Sequence, residues 1–240
     1  MNFDAVVVGG SSAGLFAAEL LAKQGKRVAV FEREEGISTS SRLYIITPGL
    51  YRVLPDLDPS LIRQHVHAFR LFAGDRQARI NLSEPDLVID RRQLLQYLYN
   101  RAFSAGVEFY FNHEFISFND GSVGNCILFE NIGTQLMVKT DCLIGADGVQ
   151  SKIRTALGLK NISRVPLLQA EINLPDDWDD LVSRVWFKPD RSKYFYWMIP
   201  DDGRKGVAGL IAEPGSDIRR LLSDFLEEEG LTAIGYQSGS

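Results

Sequence analysis

Asp4-Ala5-Val6-Val7-Val8-Gly9-Gly10-Ser11-Ser12-Ala13-Gly14 carries the densest structural information in this 240-residue chain. Residues 4–8 form a short apolar run of the kind a parallel strand shows when it is buried on both faces. A glycine-rich turn follows from Gly9 to Gly14. Leu15 to Gln24 then places apolar residues at helical spacing, and Gly25 stands where a helix stops. Arg27 to Phe31 predicts a second strand, with Glu32 at its C-terminal end. Strand, glycine turn, helix, strand and acid in that order predict a dinucleotide-binding βαβ unit.

The residue types fit that chemistry. Gly9 permits a tight turn, and Gly14 lets the helix approach the strand. The amides at the helix N-terminus, carrying roughly half a positive charge, face a pyrophosphate. Glu32 can accept both hydroxyls of a ribose, each charge-assisted bond contributing on the order of 1.5–3 kcal/mol. The middle glycine of the G-x-G-x-x-G pattern is Ser11 here. Serine is small, and its hydroxyl is expected to donate to a phosphate. The cofactor-binding set read from this unit is Gly9, Ser11, Ala13, Gly14, Glu32 and Arg33. Its alternative is a tight turn without a ligand.

Composition narrows the class. The net charge of −5 and the dispersed lysines and arginines give no footprint for nucleic acid. Residues 1–22 lack a basic start, and glycines interrupt their apolar run, so they do not read as a signal peptide. No stretch approaches the ~20 apolar residues of a membrane span. Cys126 and Cys142 have neither metal nor redox spacing and are expected as buried free thiols. The expected compartment is the cytoplasm.

Beyond Glu32 the chain alternates strands and helices. Residues 66–72 and 76–82 predict an antiparallel pair joined at Gly74-Asp75. His65 and His67 share one face of it without a third ligand, so no metal site is expected. Asp90 is placed to cap a helix over 91–105, with Gln93 in the capping-box position and Leu94, Leu95, Leu98 and Ala102 as its buried stripe. Strands follow at 107–111 and near 114–119, 125–130 and 135–139, the last three separated by Asn-Asp-Gly and Asn-Ile-Gly turns. A separate buried strand over 141–145 delivers Ala146-Asp147-Gly148 to a loop and helix. Further strands are expected at 165–173, 183–188, 194–199 and 206–211, then an acidic helix over 216–229.

Three features together resemble the superfamily of FAD-dependent monooxygenases and geranylgeranyl reductases. They are the glycine turn with Glu32, the helix start Arg91-x-x-Leu94-x-x-x-Leu98, and Gly145-Ala-Asp-Gly-x-x-Ser151-x-x-Arg154. The resemblance spans essentially the whole chain and is most specific in the Asp-Gly segment. It implies an α/β protein of the p-hydroxybenzoate-hydroxylase type, with a Rossmann-like FAD-binding domain and a second, mixed β-sheet substrate region. By position it implies that Arg91 contacts the ribose and phosphate region of FAD. Asp147, with Ala146 and Gly148, would lie near the flavin pyrophosphate, and Arg42 beside the phosphates. The alternatives are a solvated first-turn arginine at 91 and an ordinary turn aspartate at 147. Residues 1–64 with 83–160 are expected to form the discontinuous FAD-binding domain, 65–82 with 161–215 the substrate sheet, and 216–240 a C-terminal helix and tail.

Tyr194-Phe-Tyr-Trp-Met-Ile-Pro200 bears on which member it is. It resembles the Tyr-x-Trp-x-Phe-Pro signature of geranylgeranyl reductases, with Phe195 and Ile199 substituted, and the Trp-x-Trp-x-Ile-Pro signature of flavin-dependent halogenases, with only Phe195 departing, so this likeness alone does not separate the two. Halogenases use a lysine in their N-terminal half, and no lysine occurs between Lys26 and Lys139, which ranks that reading last. A reductase asks for orientation and a dry apolar pocket, with the hydride supplied by reduced flavin. Tyr194, Tyr196 and Trp197 are the candidate pocket wall; strand alternation should send some of this stretch to the core instead. The rival activity is an FAD- and NAD(P)H-dependent monooxygenase acting on an aromatic or an alkene. The resemblance further implies NAD(P)H as electron donor, a small apolar substrate, and peripheral membrane contact if that substrate is a lipid. The superfamily's C-terminal Gly-Asp segment has no counterpart here. The chain therefore reads as truncated or as a natural short homologue, its Ser238-Gly239-Ser240 tail linker-like. A different class of reading follows: a flavin-binding fragment whose site is completed by a second chain or a missing C-terminal portion.

Overall fold

A computed structural model describes residues 1–121, 124–160, 162–175, 178–201 and 203–239. In chain order the elements are β1 (Asn2–Val8), α1 (Ser12–Lys23), β2 (Val28–Phe31), β3 (Leu43–Ile46), α2 (Leu50–Val53), β4 (Ile62–Ala73), β5 (Arg76–Asp90) and α3 (Arg91–Ser104). There follow β6 (Glu108–Tyr110), β7 (Glu114–Gly121), β8 (Gly124–Asn131), β9 (Thr134–Gly145) and α4 (Lys152–Ala156). The remainder is β10 (Leu167–Asn173), β11 (Val182–Phe187), β12 (Tyr196–Pro200), β13 (Lys205–Ile211), α5 (Ile218–Glu228) and β14 (Ala233–Gly239). They divide into two compact units, Met1–Thr39 with Arg92–Ser163, and Ser40–Arg91 with Arg164–Ser240.

The first unit is built on a six-stranded sheet of order β6-β2-β1-β9-β8-β7. β1 lies between β2 and β9, parallel to both, and β2 pairs in parallel with β6. All four residues of β2 are buried, as strands covered on both faces require. On one face Ala18 of α1 and Ala102 of α3 pack over Ala5, Val7, Val28 and Val30. On the other, Phe115, Ile127, Phe129 and Val138 pack over Phe3, Val6, Val8 and Phe31, with Phe31 and Phe129 stacked at 3.9 Å.

The expected strands at 135–139 and 141–145 are one strand, β9. Its first half pairs antiparallel with β8 and its second half parallel with β1, so the chain passes from one arrangement to the other without a turn. The Asn-Ile-Gly turn is present as a tight hairpin, with Ile132 and Gly133 both at positive φ. Asn119 to Gly121, expected as a turn, are instead the end of β7, and residues 122–123 lie outside those described. Cys142 is exposed rather than buried. It lies in the part of β9, Cys142 to Gly145, that pairs with β1 alone among the described residues.

The second unit is an eight-stranded mixed sheet of order β14-β10-β13-β12-β11-β4-β5-β3, with α5 packed on β10 and β13. Leu222, Phe225 and Leu226 of α5 cover Leu168, Ala170, Trp186, Tyr196, Met198 and Leu210. Residues 40–64 and 83–91 belong to this unit, outside the dinucleotide unit in which the sequence expectation put them. Pairing explains it. β5 runs unbroken for 15 residues from the hairpin to Asp90, and β3 pairs with its second half. The linker-like tail is also a strand: Ser238 and Gly239 pair with Leu168 and Leu167 in β10, and Ser240 lies outside the described residues.

A buried ion pair ties α1 to α3. Glu19, 1% exposed, binds Arg101 at 2.9 Å and Lys23 at 2.6 Å. Burial alone would raise its pKa, but the bonds to Arg101 and Lys23 outweigh burial and hold it below the usual carboxylate range. Glu19→Ala would strand the Arg101 charge, and urea unfolding is expected to show a loss of about 3 kcal/mol. Because the folded pKa is depressed, this stabilisation is present above the ordinary carboxylate range and is lost as pH falls through the folded value. Unfolding free energy of the parent should therefore drop over that acidic window more steeply than that of Glu19→Gln; parallel pH curves would contradict the assignment.

Candidate functional site

Two loops leave the same edge of the six-stranded sheet. β1 and β9 end side by side, with Val8 opposite Gly145, so the turn after Val8 and the loop after Gly145 are neighbours although they lie far apart in sequence. Backbone bonds fasten both: Gly9 N–H donates to Phe31 O at 2.8 Å, and Ala146 N–H to Val8 O at 2.8 Å. A side chain at Gly9 would put its Cβ 2.4 Å from Ala146 O, and φ there is +108°. One at Gly14 would come 2.2 Å from Gly9 O and 3.2 Å from Val7 Cγ1. Both glycines are thus required by close approach, which lets α1 start directly above the end of β1.

Ser11 is the N-cap of α1. Its hydroxyl accepts from Gly14 N–H at 3.3 Å and donates to Ala146 O at 3.1 Å. A hydroxyl has one proton to donate. The expectation that Ser11 donates to a phosphate is therefore corrected, since that proton is committed to the Asp-Gly loop.

Glu32 closes the third side. One carboxylate oxygen accepts from Gly10 N–H at 2.6 Å and the other from Glu34 N–H at 3.0 Å. Its remaining lone pairs leave acceptor capacity for a ligand. Ser12 and Ala13 are exposed at the first turn of α1, and among the described residues their amides have no protein acceptor. An acid beside exposed helix N-terminal amides suits a ligand carrying hydroxyls at one end and an anion at the other. Arg33 points elsewhere, into an exposed pair with Glu34 at 3.3 Å.

Asp147 shapes its own loop. Its carboxylate accepts from Ile153 N–H at 3.2 Å, Gly148 takes a left-handed φ of 77°, and Ser151 caps α4 by accepting from Arg154 N–H at 2.9 Å. The structure thus gathers Gly9, Ser11, Ala13, Gly14, Glu32, Ala146, Asp147 and Gly148 in the first unit. Arg42 and Arg91 fall in the second unit, joined to each other by Arg91 N–H donating to Arg42 O at 2.8 Å. Beside them Ser41 donates to the buried Asp90 carboxylate.

The three aromatic candidates separate. Trp197 is 8% exposed and packs with Leu43, Val66, Val88, Ile199 and Val207 on the sheet face opposite α5. Gly209 makes room for it, since a Cβ there would lie 2.5 Å from the ring. Tyr196 does not share that face: it is fully buried under α5, its ring 4.8 Å from Phe225. Burial, the largest cause, holds its hydroxyl pKa above the usual value. Strand alternation places it in the core instead of a pocket wall. Tyr194 lies ahead of β12 and is exposed. The sequence reading missed the Ala146 carbonyl and Gly209; the signals were Ser11 standing at a glycine position, and a glycine register-paired with a tryptophan.

Gly9→Ala is expected to cost about 3 kcal/mol in chemical denaturation, combining left-handed strain with a collision on main chain. Gly25→Ala is the control, because φ there is +79° but nothing lies within 4 Å of an added Cβ. It should cost only about 1–2 kcal/mol. Equal losses at the two positions would mean that contact with Ala146 is not what excludes a side chain.

Comparison with known proteins bears on the identity of this site. The chain is 29% identical over 235 residues to a digeranylgeranylglycerophospholipid reductase of Methanocaldococcus jannaschii, covering 94% of this chain and 59% of that protein. It is 32% identical over 191 residues to a probable 2-heptyl-3-hydroxy-4(1H)-quinolone synthase of Rhodococcus erythropolis, covering 74% and 48%. The fold matches a geranylgeranyl bacteriochlorophyll reductase-like protein of Thermoplasma acidophilum with a TM-score of 0.88 at 19% identity, over 99% of this chain and 66% of that one. The chain thus spans only part of the length of the proteins it resembles. Residues 2–208 match the model of the FAD binding domain family, and the chain belongs to that family.

Proposed function

We propose that this chain binds FAD along the edge formed by the glycine turn, Glu32 and the Asp-Gly loop, and serves as part of an FAD-dependent oxidoreductase. The observation that carries the reading is the pairing of exposed, acceptor-free amides at Ser12 and Ala13 with the anchored carboxylate of Glu32. The two amides would meet the pyrophosphate, while Glu32 would accept from the ribose hydroxyls without leaving Gly10. Bound FAD supplies hydride chemistry after reduction, with NAD(P)H as the proposed donor. The protein's part is to hold the cofactor, exclude water and present an apolar surface. In the second unit the candidate for such a surface is the face on which Trp197, Ile199 and Val207 pack as an apolar cluster.

The reaction favoured is hydride transfer from reduced flavin to a C=C bond of an apolar, isoprenoid-type substrate. The names of the reductase relatives support it. The second reading is oxygenation of an aromatic or alkene substrate, favoured by the 32% identity to the probable quinolone synthase. Among the described residues no helix is long and apolar enough to cross a membrane. A cytoplasmic protein touching a membrane only to reach a lipid substrate fits both readings. A third reading has further polypeptide, from a longer chain or a second one, pairing along β9 between Cys142 and Gly145, where β1 is the one strand partner among the described residues, and completing the flavin site.

Titrating the chain with FAD and following flavin fluorescence should give saturable binding, and Glu32→Gln should weaken it roughly tenfold or more, matching the loss of about 1.5–3 kcal/mol for one charge-assisted bond. Unchanged affinity in Glu32→Gln would remove Glu32 from the ribose. With NAD(P)H and a prenyl substrate in the absence of oxygen, a product heavier by two hydrogens is expected. Turnover only in air, with a product heavier by one oxygen, would establish the oxygenase reading in its place.

A further inference from the structure

We propose that Ser11 is a positioning residue: through the hydrogen bond to Ala146 it holds the Asp-Gly loop against the glycine turn before any cofactor arrives. This rests on the FAD reading of the same edge. In the glycine pattern this position has no side chain, so the hydroxyl adds a bond that the backbone alone cannot make. Ser11 and Ala146 are 135 residues apart in sequence, and the bond is 3.1 Å long. The Ala146 peptide is held at both ends, its N–H by Val8 O and its carbonyl by Ser11. Asp147 follows directly, and its carboxylate accepts from Ile153 N–H at the start of α4. A continuous set of contacts therefore runs from the first turn of α1, through the loop, to α4. Every member lies in the first unit.

Two further observations separate this role from that of a phosphate ligand. The hydroxyl proton is committed to Ala146, so a phosphate at α1 must be met by the Ser12 and Ala13 amides instead. The capping bond to Gly14 N–H is the longer of the two, at 3.3 Å. Each bond exceeds the usual length for its donor type by a similar margin, so the hydroxyl serves loop and helix alike and a variant must separate the two. Glycine is tolerated at an N-cap almost as well as serine, whereas alanine is not. Ser11→Gly thus removes the bond to the loop while leaving α1 nearly intact, and Ser11→Thr keeps the hydroxyl.

The test uses amide hydrogen exchange by NMR on the full chain without FAD, alongside FAD titration. The reporters are the amides of Ala146 and Ile153, which bond to Val8 and to Asp147. In Ser11→Gly both should exchange about tenfold faster, FAD affinity should fall by a similar factor, and Ser11→Thr should restore both. Unchanged exchange together with weakened FAD binding would make Ser11 a direct ligand and overturn the proposal. Faster exchange with unchanged FAD affinity would reduce it to a structural bond and overturn it equally. A folded parent chain that takes up no FAD would sink the cofactor reading itself, a result distinct from any difference among the variants.

Discussion

Parallel pairing of β1 with both β2 and β9 is the constraint on which this chain's chemistry depends. Val8 lies beside Phe31 on one side and Gly145 on the other. Parallel strands end at the same edge, so three segments distant in sequence emerge together: the turn at Gly9, the acid at Glu32 and the loop at Ala146. None of them needs a specific contact to find the others. The apolar runs that fill the two faces of the sheet bring them there, and the polar atoms then lock what the sheet has already placed.

The locking is economical in atoms. Gly9 and Gly14 contribute by what they lack, allowing main chain to approach within distances no Cβ would tolerate. Glu32 uses its two oxygens to bind the turn and the residues following β2, and Ser11 uses its one proton on the loop. What remains unsatisfied is concentrated at Ser12 and Ala13, where the positive end of α1 meets solvent. Amides fixed at a helix N-terminus suit an anion, because binding there requires little of the protein to rearrange.

Much of this was legible in the residues. β1, α1 and β2 follow directly from apolar runs and glycine punctuation, and the acid at 32 follows from its place after the second run. The failures have local causes. β9 reads as two strands because its pattern changes at Thr140, where the neighbour changes from β8 to β1; no turn residue marks the switch. Ser83-Glu84-Pro85 reads as a break, yet β5 continues through it beside the irregularity between Val66 and Ala68. The use of the Ser11 hydroxyl could not be read at all, since its acceptor is a carbonyl, and any residue type supplies one.

Tyr196 and Trp197 show how one strand serves two environments. They are adjacent, both aromatic and both nearly inaccessible, so composition cannot rank them. Period-two geometry separates them completely: one side chain sits under α5 against Phe225, the next on the opposite face with Val66 and Val207. The face under α5 is closed by Leu222, Phe225 and Leu226, which already occupy the space beside Tyr196. Among the described residues no helix of the second unit packs strongly on the other face. A substitution at Tyr196 therefore acts on the packing under α5, whereas one at Trp197 or Gly209 acts on the cluster with Val66 and Val207 on the opposite face. An aromatic signature on a single strand is in physical terms two signatures, because alternate residues of it belong to different faces of the sheet.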